Sequence, residues 1–366
     1  MSHSKRGAFK TVLGICWLAA CVAITSGALA QDKTPGLQYS ADPDGTVHMS
    51  NLAVPPSAYL SPEALKTWIS HTRFKMPPGV GDDALAQRTF FDQTYNKPWA
   101  EAAKAKYPVD IHARTIGGVR TEIITPRGGI SRQNRHRVLI NLHGGGFGWG
   151  EGYGGEVESV PIAAVGRIEV VTVAYREGPE YKFPDASEDV ASVYRALLKT
   201  YKPASVGIYG CSAGGILTAE SVAWFQKEGL PAPGAVGMFC GGPNRMSGDS
   251  VAVATALSGG TMPDDHEMTW PYFAAAHARS SDPLVYPGNS DAMMRGFPPS
   301  LLISSTRDFA LSSVLHTQSQ LTRLGVPNEL HVWDGLPHAF FMDPDLPEST
   351  EVFHVIADFF DRRLRK

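Results

Sequence analysis

The run Ser205-Val206-Gly207-Ile208-Tyr209 leads into Gly210-Cys211-Ser212-Ala213-Gly214, and a segment of helical composition, 215–226, follows. A short β-prone run, a G-x-S-x-G pentapeptide and a helix, in that order, is the sequence form of a nucleophile elbow. In such a turn a serine hydroxyl is held exposed between strand and helix. Glycines suit both sides, because the turn strains the backbone and brings the helix close to the strand. The pentapeptide alone is weak, since with 37 glycines in 366 residues a Gly-rich turn before a helix reads the same way. Its neighbours have to decide.

Upstream, the apolar run 137–142 ends in His143-Gly144-Gly145-Gly146-Phe147-Gly148-Trp149-Gly150. Glycines directly after a strand let backbone N–H groups face a cavity, where they can hold the oxygen of a tetrahedral intermediate. A flexible or anion-binding loop is the plainer alternative. The segment, however, lacks both G-x-G-x-x-G in the right frame and the Lys-Ser/Thr of a phosphate loop. The candidate oxyanion donors are the N–H groups of Gly145, Gly146 and Ala213, the last because it follows the serine.

A hydrolytic triad also needs an acid and a base, in the chain order Ser, Asp or Glu, His. Residues 299–304 read as a buried strand, and Asp308 lies just past its carboxyl end. The last strand-like run, 328–333, leads through Gly335-Leu336-Pro337 to His338. Asp308 could equally be a helix N-cap, since 311–324 has helical spacing. Asp334 is a rival acid, but it sits four residues before His338 in the same loop and reads as a turn residue. Of twelve histidines, His338 is distinguished by its Gly/Pro loop after the last strand. The joint occurrence carries the weight: four elements stand in the required order, each at the end of an apolar run. Ser212 is then the nucleophile, His338 the general base and Asp308 its orienting partner.

These residues resemble the hormone-sensitive-lipase-like esterases of the α/β-hydrolases. The likeness runs from about residue 137 to the C-terminus. It rests on His143-Gly144-Gly145-Gly146, Gly210-x-Ser212-Ala213-Gly214-Gly215, Tyr175-Arg176 with Gly178-Pro179-Glu180 and Phe183-Pro184, Arg307-Asp308, and Pro337-His338-Ala339-Phe340. The resemblance implies hydrolysis of carboxylic esters of short or medium acyl chains under a helical cap. It also implies that His143 braces the glycine loop and is not the base. Cys211 stands where many members carry Asp or Thr, and Ala339 where Gly is frequent. The elbow exposes its central residue, so Cys211 is read as packing beside the turn rather than as a rival nucleophile.

The chain length and a hydrophobic content of 43% suit one large α/β domain with a cap. A net charge of −3 without a basic stripe gives no sign of a nucleic-acid partner. Residues 1–30 read as a cleaved export signal: Lys5, Arg6 and Lys10 precede an apolar stretch, and Ala28-Leu29-Ala30 has the A-x-A form. A lipoprotein signal ending at Cys21 ranks second. The mature chain is therefore expected to be periplasmic or secreted, with no membrane span. That leaves Cys211 and Cys240, read as two buried thiols although a bridge is conceivable.

Residues 32–56 read as an irregular arm, and 61–74 and 82–106 as N-terminal cap helices, so that 31–106 precede a hydrolase domain at 107–366. Segments 109–115 and 119–125 read as a hairpin. Strands follow at 138–142, 168–174, 205–209, 235–239, 300–304 and 328–333, alternating with helices at 186–200, 215–226, 311–324 and 350–363. This order implies a mostly parallel sheet with its site at the strands' carboxyl ends. A long insertion at about 244–298 carries Met246, Met262, Met268, Trp270, Tyr272 and Phe273. These either pack inside a second cap segment or together form an apolar lid. The leading expectation is a serine esterase for a small-molecule ester, with no metal and no organic cofactor. An amidase or lactonase with the same triad, or a silent ligand-binding relative, are the alternatives.

Overall fold

A computed structural model describes residues 36–80, 83–258 and 270–365. The signal and lipid-attachment readings, and Met262 and Met268, lie outside the described residues. Residues 36–54 belong to a unit of their own, in which β1 (Gln38–Ala41) and β2 (Val47–Ser50) pair antiparallel, Gln38 opposite Ser50. The arm expected to be irregular thus holds a hairpin. Every residue of both strands is exposed, so no alternation of burial marks them in the sequence.

The second unit begins with three helical segments. In α1 (Pro62–Arg73), Ser61 caps the first turn by accepting from the Ala64 N–H, and Ala64 and Trp68 face inward. The single helix expected over 82–106 is instead α2 (Ala84–Phe91), a π-helical turn (Asp92–Asn96) and α3 (Lys97–Lys106). Next come the hairpin strands β3 (Val109–Ile116) and β4 (Val119–Pro126). The chain then alternates through β5 (Val138–Leu142), α4 (Tyr153–Gly166), β6 (Glu169–Val173), α5 (Asp185–Leu197), β7 (Val206–Cys211), α6 (Ala213–Lys227) and β8 (Ala235–Phe239). The insertion contributes α7 (Asp249–Leu257), α8 (Pro271–Ala274) and α9 (Asp291–Arg295). The chain closes with β9 (Ser300–Arg307), α10 (Leu311–Arg323), β10 (Asn328–Pro337) and α11 (Pro347–Arg363).

Eight strands form one sheet in the order β10-β9-β8-β7-β5-β6-β4-β3, parallel from β10 to β6 and antiparallel at β4 and β3. Alternate side chains feed two cores: Ile140 and Ile208 lie in one, Leu139 and Tyr209 in the other. A sheet covered on both faces needs apolar residues at every position, which is why its central strands were legible as continuous apolar runs. The sheet therefore has the α/β architecture expected. Helix α4 was not anticipated. It is buried on nearly all sides and carries Pro161, so no amphipathic period announces it.

Two strands run further than their apolar cores suggest. β9 continues through Ser304-Ser305-Thr306-Arg307, and β10 extends to Pro337 with a register shift after Trp333. Those extensions carry Asp308 and His338 to the rim of the sheet beside Ser212.

Candidate active site

Ser212 sits between the end of β7 and the first residue of α6, at φ 55° and ψ −120°. Such a backbone is strained for a residue with a Cβ, and the surroundings hold it there. The Ser212 N–H donates to the Phe239 carbonyl at 2.7 Å, while its own carbonyl accepts from Ile216 at 3.1 Å to begin α6. Gly214 allows the close approach: a Cβ on it would come 1.8 Å from the Leu142 carbonyl oxygen at the end of β5. The elbow and the glycine loop are thereby pressed together.

From Ser212 a chain of hydrogen bonds runs inward. Ser212 Oγ lies 2.9 Å from His338 Nε2, and His338 Nδ1 lies 2.6 Å from Asp308 Oδ1. Asp308 is fully buried, and it accepts from Ser304 Oγ at 2.7 Å and from the Ala310 N–H at 2.8 Å. Burial by itself would raise its pKa. The adjacent His338 charge, with the hydrogen bonds from His338, Ser304 and Ala310, outweighs burial and holds the carboxyl below its usual value. Phe309 stacks on the His338 ring at 4.1 Å. Asp334 is engaged elsewhere, by Ser57 Oγ and by Thr306 Oγ1 at 3.0 Å. Of the two candidate acids, the structure brings only Asp308 to the imidazole.

The glycine loop lies alongside. Gly145 has φ 112°, and a Cβ there would stand 1.6 Å from the Trp149 carbonyl oxygen, so only glycine fits. Ala213 opens α6, where the N–H groups of the first turn have no acceptor within their helix. His143 is fully buried and stacks on Tyr175 at 4.3 Å, and its Nδ1 lies 2.8 Å from the Gly144 carbonyl. Because a carbonyl can only accept, that contact assigns the proton to Nδ1. Burial lowers the His143 pKa to about 4, although the Gly144 bond opposes the shift. Tyr175 OH donates to the His143 carbonyl at 2.7 Å.

Three parts of the chain that support the site went unread in the sequence: Glu158, helix α2 and Ser304. Glu158, inside α4, accepts from the Gly144 N–H at 2.8 Å on one oxygen, and from Asn141 Nδ2 at 3.1 Å and the Cys211 N–H at 3.2 Å on the other. It thus ties the glycine loop to the elbow. Burial pushes its pKa up to about 8 against the pull of those three donors. Arg88 of α2 donates to the Gly148 and Gly178 carbonyls, both at 2.7 Å, and pairs with Glu180. Phe91, one turn on, stacks on Trp149 at 3.9 Å. Ser304, the third, fixes the far oxygen of Asp308.

A cavity of about 540 Å³ opens beside His338. Thr67, His71 and Phe74 line it from α1 and the residue after it, Tyr95 and Trp99 from the π-helical turn and α3, and Phe340 from the loop behind His338. Charged Glu63, Lys66, Asp343 and Asp345 also line it. His71 Nε2 lies 3.2 Å from Ser258 Oγ, joining α1 to the residue that ends α7. Burial, and secondarily the nearby His338, lowers the His71 pKa. The insertion's aromatics do not line this cavity among the described residues. Tyr272 and Phe273 are buried and pack on Phe147, at 4.8 and 4.9 Å between rings, with Trp270 at 6.0 Å. Neither expectation describes Tyr272 and Phe273: they pack out of the insertion, against the glycine loop and into the core that holds Ile140 and Ile208.

Cys211 and Cys240 are free thiols, both buried. Burial raises both pKa values, so Cys211 is a poor nucleophile. Cys240 Sγ, an Asp308 oxygen and a His338 nitrogen lie within 4.8 Å of one another, the one cluster of metal-ligand type found among the described residues. No helix among those residues is long and apolar enough to cross a membrane.

The model of the alpha/beta hydrolase fold family matches residues 139–342. An acetyl-hydrolase of Streptomyces hygroscopicus is 25% identical over 254 residues, covering 67% of this chain and 80% of its own. Versiconal hemiacetal acetate esterase of Dothistroma septosporum is 25% identical over 255 residues, covering 66% and 76%. A solved esterase of the bacterial hormone-sensitive lipase family superposes with a TM-score of 0.69 at 23% identity, over 83% of this chain and 99% of its own. With its matched span, its mostly parallel sheet and its esterase and acetyl-hydrolase relatives, the chain belongs to the alpha/beta hydrolase fold family.

Proposed function

We propose that the chain is a serine carboxylic-ester hydrolase for short- to medium-chain esters, working through an acyl-enzyme on Ser212. The observation that carries this reading is the unbroken line from Ser212 Oγ through His338 to buried Asp308, at 2.9 and 2.6 Å. Ser212 Oγ attacks the ester carbonyl as His338 Nε2 takes its proton. Asp308 fixes the tautomer with the proton on Nδ1 and stabilises the imidazolium that forms. The N–H groups of Gly145, Gly146 and Ala213 receive the oxyanion, each donor being worth about 3 kcal/mol of barrier. His338 then protonates the leaving alcohol, and water resolves the acyl-enzyme by the same route. The acetyl-ester relatives support a small acyl group. The cavity of about 540 Å³ beside His338 offers aromatic walls and charged groups to the larger alcohol part.

The test is turnover of p-nitrophenyl acetate, butyrate and longer esters, with a lactone and an amide panel alongside and Ser212→Ala as control. Activity falling with acyl length and vanishing in Ser212→Ala is expected. Turnover that survives Ser212→Ala would remove the mechanism, and a preference for amides or lactones would move the substrate class.

A further inference from the structure

We propose that the inner side of the triad is a capture site for one soft divalent cation of the zinc–cadmium kind, held by Cys240 Sγ, the Asp308 carboxylate and His338 Nδ1. Cys240, Asp308 and His338 come from three different loops at the carboxyl end of the sheet. Cys240 Sγ, an Asp308 oxygen and a His338 nitrogen already lie within 4.8 Å of one another. Nδ1 is the nitrogen that faces Asp308, at 2.6 Å. Metal–ligand bonds of about 2.0–2.3 Å place the donor atoms of a tetrahedral site roughly 3.3–3.8 Å apart. Coordination therefore needs the 2.6 Å His338–Asp308 contact to open by about 1 Å, and the two separations to Cys240 Sγ, both within 4.8 Å, to fall in the same range. The backbone of Cys240 and the Asp308 carboxyl are held in place. The Cys240 N–H donates to the Ile303 carbonyl at 2.8 Å, and Asp308 is held by Ser304 and Ala310. Cys211, also a buried free thiol, belongs to the same buried cluster as Cys240 and is the rival sulfur for the ion.

The donor set selects the ion. Thiolate, imidazole and carboxylate together suit zinc and its softer neighbours, whereas magnesium and calcium want shells of oxygen. Binding replaces protons and moves no electrons. The metal–sulfur bond forms as the Cys240 S–H proton leaves to solvent. The metal–nitrogen bond forms at Nδ1 as the imidazole's proton relocates to Nε2. An Nε2 that carries a proton can only donate to Ser212 Oγ. The general base is lost without the metal touching the serine, so the captured cation is an inhibitor and not a cofactor.

That inhibition rests on the proposed hydrolase reading; the binding itself does not, and two measurements separate them. Cadmium is titrated into the full chain carrying Ser212→Ala with Cys16→Ser and Cys21→Ser, which leaves Cys211 and Cys240 as its thiols. The ultraviolet cadmium–thiolate charge-transfer band is followed. One cadmium per chain is expected. Adding Cys240→Ser, or Cys240→Ala should the serine variant fail to fold, should remove the band and weaken binding by about tenfold or more. In the Ser212 enzyme, cadmium and zinc should suppress ester turnover and a chelator restore it. Cys240→Ser should need about tenfold more metal for half inhibition, measured against its own uninhibited rate. Absence of the band in Ser212→Ala, unchanged cadmium affinity without Cys240, or a band that depends on Cys211 alone would each overturn the proposal. If no ester is turned over, the band still decides the metal site.

Discussion

Glu158 is the side chain on which the alignment of loop and elbow turns. Replacing it with Ala strands three buried donors, the Gly144 and Cys211 N–H groups and Asn141 Nδ2. At roughly 1–2 kcal/mol for each unsatisfied buried group, Glu158→Ala should lower unfolding free energy by about 3–6 kcal/mol. Gln is milder. It keeps one acceptor oxygen and turns its amide toward Asn141, whose Oδ1 has no protein partner, so one backbone donor loses its acceptor, at about 1–3 kcal/mol. Charge adds a pH signature. The folded carboxyl holds its proton to about 8, and an unfolded glutamate loses it near 4.5. Between those values the folded chain binds the extra proton, so its stability is full at low pH and is lost as pH rises through about 8. The loss amounts to at most on the order of 5 kcal/mol. Glu158→Gln lacks that slope, so its deficit against the parent should shrink from pH 6 to pH 8.5. Denaturant titrations at both pH values, with kcat/KM for p-nitrophenyl acetate, measure the two effects together. A Glu158→Ala protein within about 1 kcal/mol of the parent and equally active would refute the reasoning.

Asp308→Asn should lower kcat by about a thousandfold or more, because the amide cannot hold the Nδ1–H tautomer. Asp334→Asn should leave the rate near the parent's, and the reverse ranking would exchange the two acids. Gly145→Ala has no room for its Cβ and should cost about hundredfold or more in kcat with KM little changed. His71→Phe removes the contact with Ser258 and should raise KM for esters of bulky alcohols by about two- to tenfold while kcat is largely kept. Equal losses for small and bulky esters would argue against a role of His71 in this cavity.

How much of this was legible depended on burial. β5, β7 and β8 are covered on both faces and read as apolar runs, and α5 and α10 are amphipathic enough to show a helical period. β1 and β2 are wholly exposed and α4 almost wholly buried, so neither shows a pattern that distinguishes inside from outside. The proposed triad could be placed because chain order and strand ends constrain Ser212, Asp308 and His338. Glu158 had no such constraint. It stands in the stretch Glu156-Val157-Glu158-Ser159-Val160, where nothing distinguishes a buried carboxyl that props a loop from a solvated one. Arg88 and Glu180 are 92 residues apart, and sequence order carries no signal for a pair brought together only by the fold. Cys240 was legible as a buried thiol at a strand end, and it is one, but nothing in the sequence placed it beside Asp308 and His338.

Arg88 carries a consequence for where this enzyme ends as a mechanical object. The family is recognised between residues 139 and 342, yet the guanidinium that grips the Gly148 and Gly178 carbonyls comes from residue 88, and the ring that backs Trp149 from residue 91. A fragment trimmed to the recognised span would keep every member of the proposed triad and still lose the outside grip that keeps the glycine loop in register with Ser212. Such a fragment would retain the chemical groups while surrendering their alignment, so the boundary of recognition falls well inside the boundary of function.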